Sequence, residues 1–137
     1  MNERLAPWEY ERARHQGEIA VRSLVELFPT LSPLMEESRE DNGQILPHLV
    51  MSDIVGWLAS HVSLEPEVCR GVLEWMDAQL RDGPEEVQEL VVVSGVEMLP
   101  APGESGAELR QMLPAALAQY DSWAHGDSES PRIFQRP

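Results

Sequence analysis

An all-α fold, a single compact bundle of five or six helices, is predicted by two observations. Apolar residues recur at three- and four-residue steps in one segment after another, which is the period of an amphipathic helix. Residues 82–99, DGPEEVQELVVVSGVEML, open with a turn and an acidic cluster and then become almost wholly apolar. As a helix, that stretch has a wet, negative first turn favoured by the dipole and a second half that protein must surround. The successive antiparallel pairs suggest HEAT-like stacking. A chain of 137 residues fits one domain, assigned to residues 1–125, with a polar, proline-containing tail over 126–137.

The elements follow in order. The first helix begins near Pro7 or Trp8 and ends at Phe28, because Pro29 pushes its predecessor out of the helical region. Ile19, Leu24, Leu27 and Phe28 are expected on its inner face. Ser32 and Pro33 fit an N-cap and a first helical position for a short acidic helix ending at Asn42 and Gly43. Residues 46–62 form a second strong helix with Leu46, Leu49, Val50, Ile54, Trp57, Leu58 and Val62 as its apolar stripe. Ser52, Gly56, Ala59 and Ser63 make a small-residue strip for close approach, and Asp53 is either a cap or an internally bonded carboxylate.

The next helix spans about 66–81, with Cys69, Val72, Leu73, Trp75, Met76 and Leu80 inward. Its Glu67, Arg70, Glu74, Asp77 and Arg81 read as a self-paired surface stripe. The helix from Pro84 is expected to continue to Leu99, with Gly95 and Glu97 as irregularities. LVVV would also suit a strand, but strand alternation is missing. Residues 100–106, PAPGESG, form a loop. A last helix carries Leu109, Met112, Leu113, Leu117 and Tyr120 inward and is kinked or split at Pro114. In the tail, Ile133 and Phe134 are candidates to dock on the core.

The charge is the unusual quantity. Twenty-four acids face 10 bases, all arginine, for a net charge of −14. Phosphates would be repelled, so nucleic acid and anionic membranes are not expected as partners, whereas a basic protein is. Residues 65–99 hold nine acids and two arginines, half of the net charge. Residues 15–43 hold six acids and two arginines. One cysteine, Cys69, excludes an internal disulfide, and no signal-peptide or membrane-length apolar run is present, so a cytoplasmic protein is expected.

No catalytic constellation is expected. His15, His48, His61 and His125 lack metal-ligand spacing, so neither a metal nor a cofactor is assigned. Residues 103–106, GESG, share only a glycine and a serine pattern with protease nucleophile loops and read as a flexible turn. Glu74 with Asp77, and Glu86 with Glu89, are carboxylate pairs that solvated helix faces explain. The tryptophans at 8, 57, 75 and 123 are core anchors, save that one near the acidic surface would be a binding hot spot.

LPHLVMSDIVGWL (46–58) and EEVQELVVVSGVEML (85–99) carry LLPHL-type and VQELI-type motifs. Over roughly residues 20–122 the chain resembles an uncharacterised bacterial family of small acidic helical domains, often encoded near polymorphic-toxin and immunity genes. The resemblance implies an immunity-type inhibitor of a basic toxin domain, with a nuclease as one such domain. Glu36, Glu37, Glu40, Asp41, Asp82, Glu85, Glu86 and Glu89 are the expected contacts. The alternative is a non-catalytic scaffold or homo-oligomerising module with Val92 and Val96 as an exposed apolar patch.

Overall fold

Four of the helices bury one repeating register. In α1 (Pro7–Leu27) the inner positions are Gly17, Ala20, Val21, Leu24 and Val25. In α3 (Pro47–His61) they are Pro47, Val50, Met51, Ile54, Val55 and Leu58. In α4 (Pro66–Asp82) they are Cys69, Val72, Leu73, Met76, Asp77 and Leu80, and in α5 (Glu85–Ser94) they include Val87, Leu90, Val91 and Ser94. Each set steps by three and then one, the stripe that a 3.6-residue helix turns toward a core. The computed structural model describes residues 7–124; the tail expected over 126–137, with Ile133 and Phe134, and also His125, lie outside them.

Short elements complete an all-α bundle. A 3-10 turn at Pro29–Leu31 leads into α2 (Ser32–Asn42), two more occupy Val96–Met98 and Ala107–Met112, and α6 is Ala115–Ala124. The middle is α5, which packs against α1, α3 and α4, while α6 packs on α4 and α2 lies over α1 and α3. A contact between the first helix and the fifth closes the bundle; a one-dimensional stack of pairs would not bring them together. Leu24, Leu31, Met51, Ile54, Leu58, Leu73, Met76, Leu90, Leu109 and Leu117 fill the core.

Several local expectations are corrected. Ile19 and Leu27 face outward, as does Leu49 of α3. The inner face of α1 instead uses Gly17 and Ala20, because α1 and α3 nearly touch: a Cβ on Gly17 would lie 2.8 Å from the Pro47 Cβ. Ser32 is not an N-cap. The chain is already helical at Leu31 and enters α2 directly from the 3-10 turn, while Gly43 ends it at φ 74°. Of the small-residue strip in α3, Ala59 meets Gly106, which at φ 86° would bring a Cβ within 2.6 Å of it, and Ser52 donates to the Ser94 carbonyl oxygen at 3.3 Å. Gly56 and Ser63 face open space, and Asp53 is exposed rather than internally bonded.

The helix from Pro84 does not reach Leu99. It ends at Ser94, and the chain turns at Gly95 into a 3-10 segment. At that glycine a side chain would meet the Val91 carbonyl oxygen and come within 2.7 Å of Met76 Cε. The turn puts Val96 in the core and Glu97 on the surface. Pro114 splits the last helix into a 3-10 turn and α6. The first turn of α6 is then capped from elsewhere. Asp77 is buried, not part of a surface stripe; its Oδ1 accepts the Leu117 N–H at 2.9 Å and its Oδ2 accepts Arg81 Nε at 2.9 Å.

Candidate interaction cleft

A cleft of about 420 Å³ opens where the first half of α1 passes the N-terminal ends of α3 and α5. Ala13 and Gly17 supply one wall, Leu46 and Pro47 another, and Leu90 the third. Gly17 makes this geometry because the absence of a side chain lets α1 close on Pro47. Tyr10, Arg14, His48, Glu86 and Glu89 complete the lining. The walls are apolar and the polar groups few, as in sites that orient a ligand by a small number of contacts.

Most of those polar groups are already engaged. Glu86 takes Arg12 at 2.9 Å, and Arg14 takes Glu11 at 2.9 Å and Glu18 at 4.0 Å. The hydrogen bond that Arg14 donates to Glu11 raises the Arg14 pKa above its ordinary value, and the charges of Glu11 and Glu18 add to it. His48 Nδ1 shares a hydrogen bond of 2.5 Å with Ser94 Oγ, which fastens α3 to α5 behind the cleft. Among the described residues Glu89 forms no ion pair, although it is exposed on the rim. Trp8 is 63% exposed with its ring 5.8 Å from the Arg12 guanidinium, and Tyr10, which lines the cleft, is 55% exposed.

The eight expected contact residues divide into two groups. Asp82 ends α4, and Glu85, Glu86 and Glu89 lie on the first turns of α5; only Glu86 and Glu89 of these line the cleft. Asp82 is 3.5 Å from its neighbour Arg81. Glu36, Glu37, Glu40 and Asp41 lie on α2, with Glu36 paired to Arg39 at 3.1 Å and the other three exposed. The two groups share α1 and α3 as packing neighbours without an extensive contact between α2 and α5. Tyr10, Arg12, Arg14 and His48 belong to the site but were not expected there. The first 14 residues are neutral overall, which hid their role, although two aromatics among arginines were a visible signal.

Other candidates take structural places. Asp77 caps α6, so Glu74 and Asp77 are not an acid–base pair. His61 Nδ1 donates to the Trp57 carbonyl oxygen at 2.8 Å, and the two rings stack with centroids 4.1 Å apart. Cys69 is buried 3.6 Å from the Leu58 carbonyl oxygen; burial, and then Glu65, push its thiol pKa up. No group of three or more His, Cys, Asp or Glu among the described residues is placed to hold a metal ion. Ser105 is exposed on its loop. Val92 and Val96 are buried, which corrects the apolar patch assigned to them. No described helix is long and apolar enough to cross a membrane.

The fold and cleft define a small all-α bundle with an apolar cleft that also holds Tyr10, Glu86 and Glu89. The chain belongs to the family described as "Domain of unknown function (DUF7674)", which it matches over residues 21–126. No curated protein and no solved structure matches it.

Proposed function

We propose that this chain is a non-catalytic binding protein that captures a basic protein partner on its acidic surface and blocks it. One observation carries the reading: an apolar cleft lined by the exposed Tyr10 and carrying the carboxylates of Glu86 and Glu89. Acidic groups speed encounter with a basic surface, and aromatic or apolar anchors slow release. Asp82 and Glu85 extend the negative surface along the α4–α5 corner, and Glu36, Glu37, Glu40 and Asp41 add a second group on α2. The internal polar groups are committed to structure, as at Asp77 and Ser94, which supports binding over chemistry. The resemblance to domains encoded beside toxin and immunity genes supports the finer reading, an immunity-type inhibitor of a basic toxin domain. A nuclease, which needs a positive face for phosphate, would suit this surface.

The test is affinity capture with the tagged full chain from its native cells, at low and high salt. The expected catch is a basic protein whose retention falls with salt. It is lost with the combined variant Asp82→Lys, Glu85→Lys and Glu89→Lys, which leaves Glu86 to hold Arg12. A partner held equally by both chains at every salt concentration sinks the electrostatic reading. The rival reading, a non-catalytic scaffold or homo-oligomerising module, would need a surface other than Val92 and Val96, which lie inside the core, and light scattering on the full chain tests it.

A further inference from the structure

The cleft says more about its occupant than that it is basic. Its three walls, from Ala13 and Gly17, from Leu46 and Pro47, and from Leu90, call for an apolar body. Its rim offers one carboxylate, Glu89, that has no ion pair among the described residues. The neighbouring charges are occupied, Glu86 by Arg12 and Arg14 by Glu11. A ligand therefore meets apolar walls and a single available negative charge at the edge, with the Tyr10 ring among the lining groups.

Resting on the basic-partner reading above, we propose that the cleft receives an arginine side chain presented by that partner, together with an apolar residue next to it in sequence. The arginine stem is apolar and its head is cationic, so one side chain satisfies wall and rim together. Its planar guanidinium pairs with a carboxylate through two parallel hydrogen bonds and stacks on aromatic faces. Lysine has the stem and charge but neither the fork nor the flat face. The volume, about 420 Å³, lies in the range of sites for drug-sized ligands and leaves room for the flanking residue.

The probe is acetyl-Leu-Arg-Leu-amide, titrated into the isotope-labelled full chain and followed by amide NMR shifts. Three comparators are run beside it: the lysine peptide, the citrulline peptide (neutral and nearly the same shape), and free arginine. Expected are saturable shifts confined to the surroundings of Ala13, Gly17 and Leu90. The citrulline peptide should bind on the order of tenfold more weakly, the scale of a charge-assisted hydrogen bond. Glu89→Gln should erase the difference between arginine and citrulline, and Ala13→Phe, which fills the cleft, should abolish binding of both.

Shifts scattered over the acidic surface would overturn the proposal. So would equal affinity for arginine and citrulline in the native chain, or for arginine and lysine. Free arginine binding as tightly as the peptide would make the cleft a small-molecule site and overturn the assignment to a partner. Glu89→Gln makes no change of volume, so it keeps the test valid if Ala13→Phe folds poorly. Capture of a basic protein that survives both Glu89→Gln and Ala13→Phe but not the Lys reversals would leave the function standing and this inference fallen.

Discussion

Asp77 ties α4 to α6 from inside the core, its Oδ1 accepting the Leu117 N–H and its Oδ2 the Arg81 Nε–H. Glu67, Arg70, Glu74, Asp77 and Arg81 follow one another at helical steps, so a surface stripe was the natural reading. Yet Asp77 also sits four residues after Leu73 and three before Leu80, inside the buried register. Periodicity does not decide between the two sides for a residue on their border; the deciding fact is the Leu117 amide, 40 residues away. Ser94 is a parallel case, a polar residue in a buried position explained only by His48 across the helix pair. Replacing Asp77 with Ala leaves the Leu117 N–H without this acceptor and should lower unfolding free energy by about 2 kcal/mol. Asp77→Asn, which keeps an oxygen for that amide, should cost less; urea unfolding of both variants checks the order. Two other buried groups bear on stability at alkaline pH. Burial raises the folded pKa of Cys69 above its ordinary 9.0 and that of Tyr120 above 10.0. Raised values favour the folded state while both groups are protonated, so their contribution is complete below the unfolded pKa values and is lost as pH rises through the folded ones. The urea midpoint should therefore fall from about pH 9 upward, and Cys69→Ala should flatten the first part of that fall.

Helix identity was legible because amphipathic period, prolines and glycines agreed, and Pro47, Pro66 and Pro114 do mark helix beginnings or breaks. Which face turned inward was less legible. In α1 spacing predicts Ile19 and Leu27 inward, whereas both are exposed and the close approach of Pro47 requires the side-chain-free Gly17. The end of α5 was obscured for a different reason. Residues 90–99 are apolar enough to be buried in any helical phase, so hydrophobicity gave no sign of where the helix stops. Gly95 stops it, because only glycine fits between the Val91 carbonyl and Met76. Gly95→Ala should destabilise the fold by about 1–3 kcal/mol, the range for overpacking, measured as a lowered thermal or urea midpoint. Met76→Leu combined with Gly95→Ala should not restore full stability, because the Val91 carbonyl remains in the way.

At the scale of the molecule, the all-α class and the acidic region beginning at Asp82 were readable from pattern and charge, but the cleft was not. It exists only where α1, α3 and α5 meet, and its lining residues are scattered from Tyr10 to Leu90. No local window of sequence carries a site of that kind. The same long-range construction governs the last quarter of the described chain. Arg110 donates to the Pro100 carbonyl oxygen at 2.7 Å and pairs with Asp121, while Asp77 holds Leu117 and the core holds Leu109 and Tyr120. These ties all span or lie beyond the exposed loop containing Glu104. Cutting the backbone there with a glutamyl-specific protease should thus leave one particle on a native gel and two bands under denaturing conditions, whereas the Asp77→Ala chain, similarly nicked, should release its C-terminal piece more readily. A nicked chain that stays whole would show that its two fragments are held by what they bury rather than by the peptide that joins them.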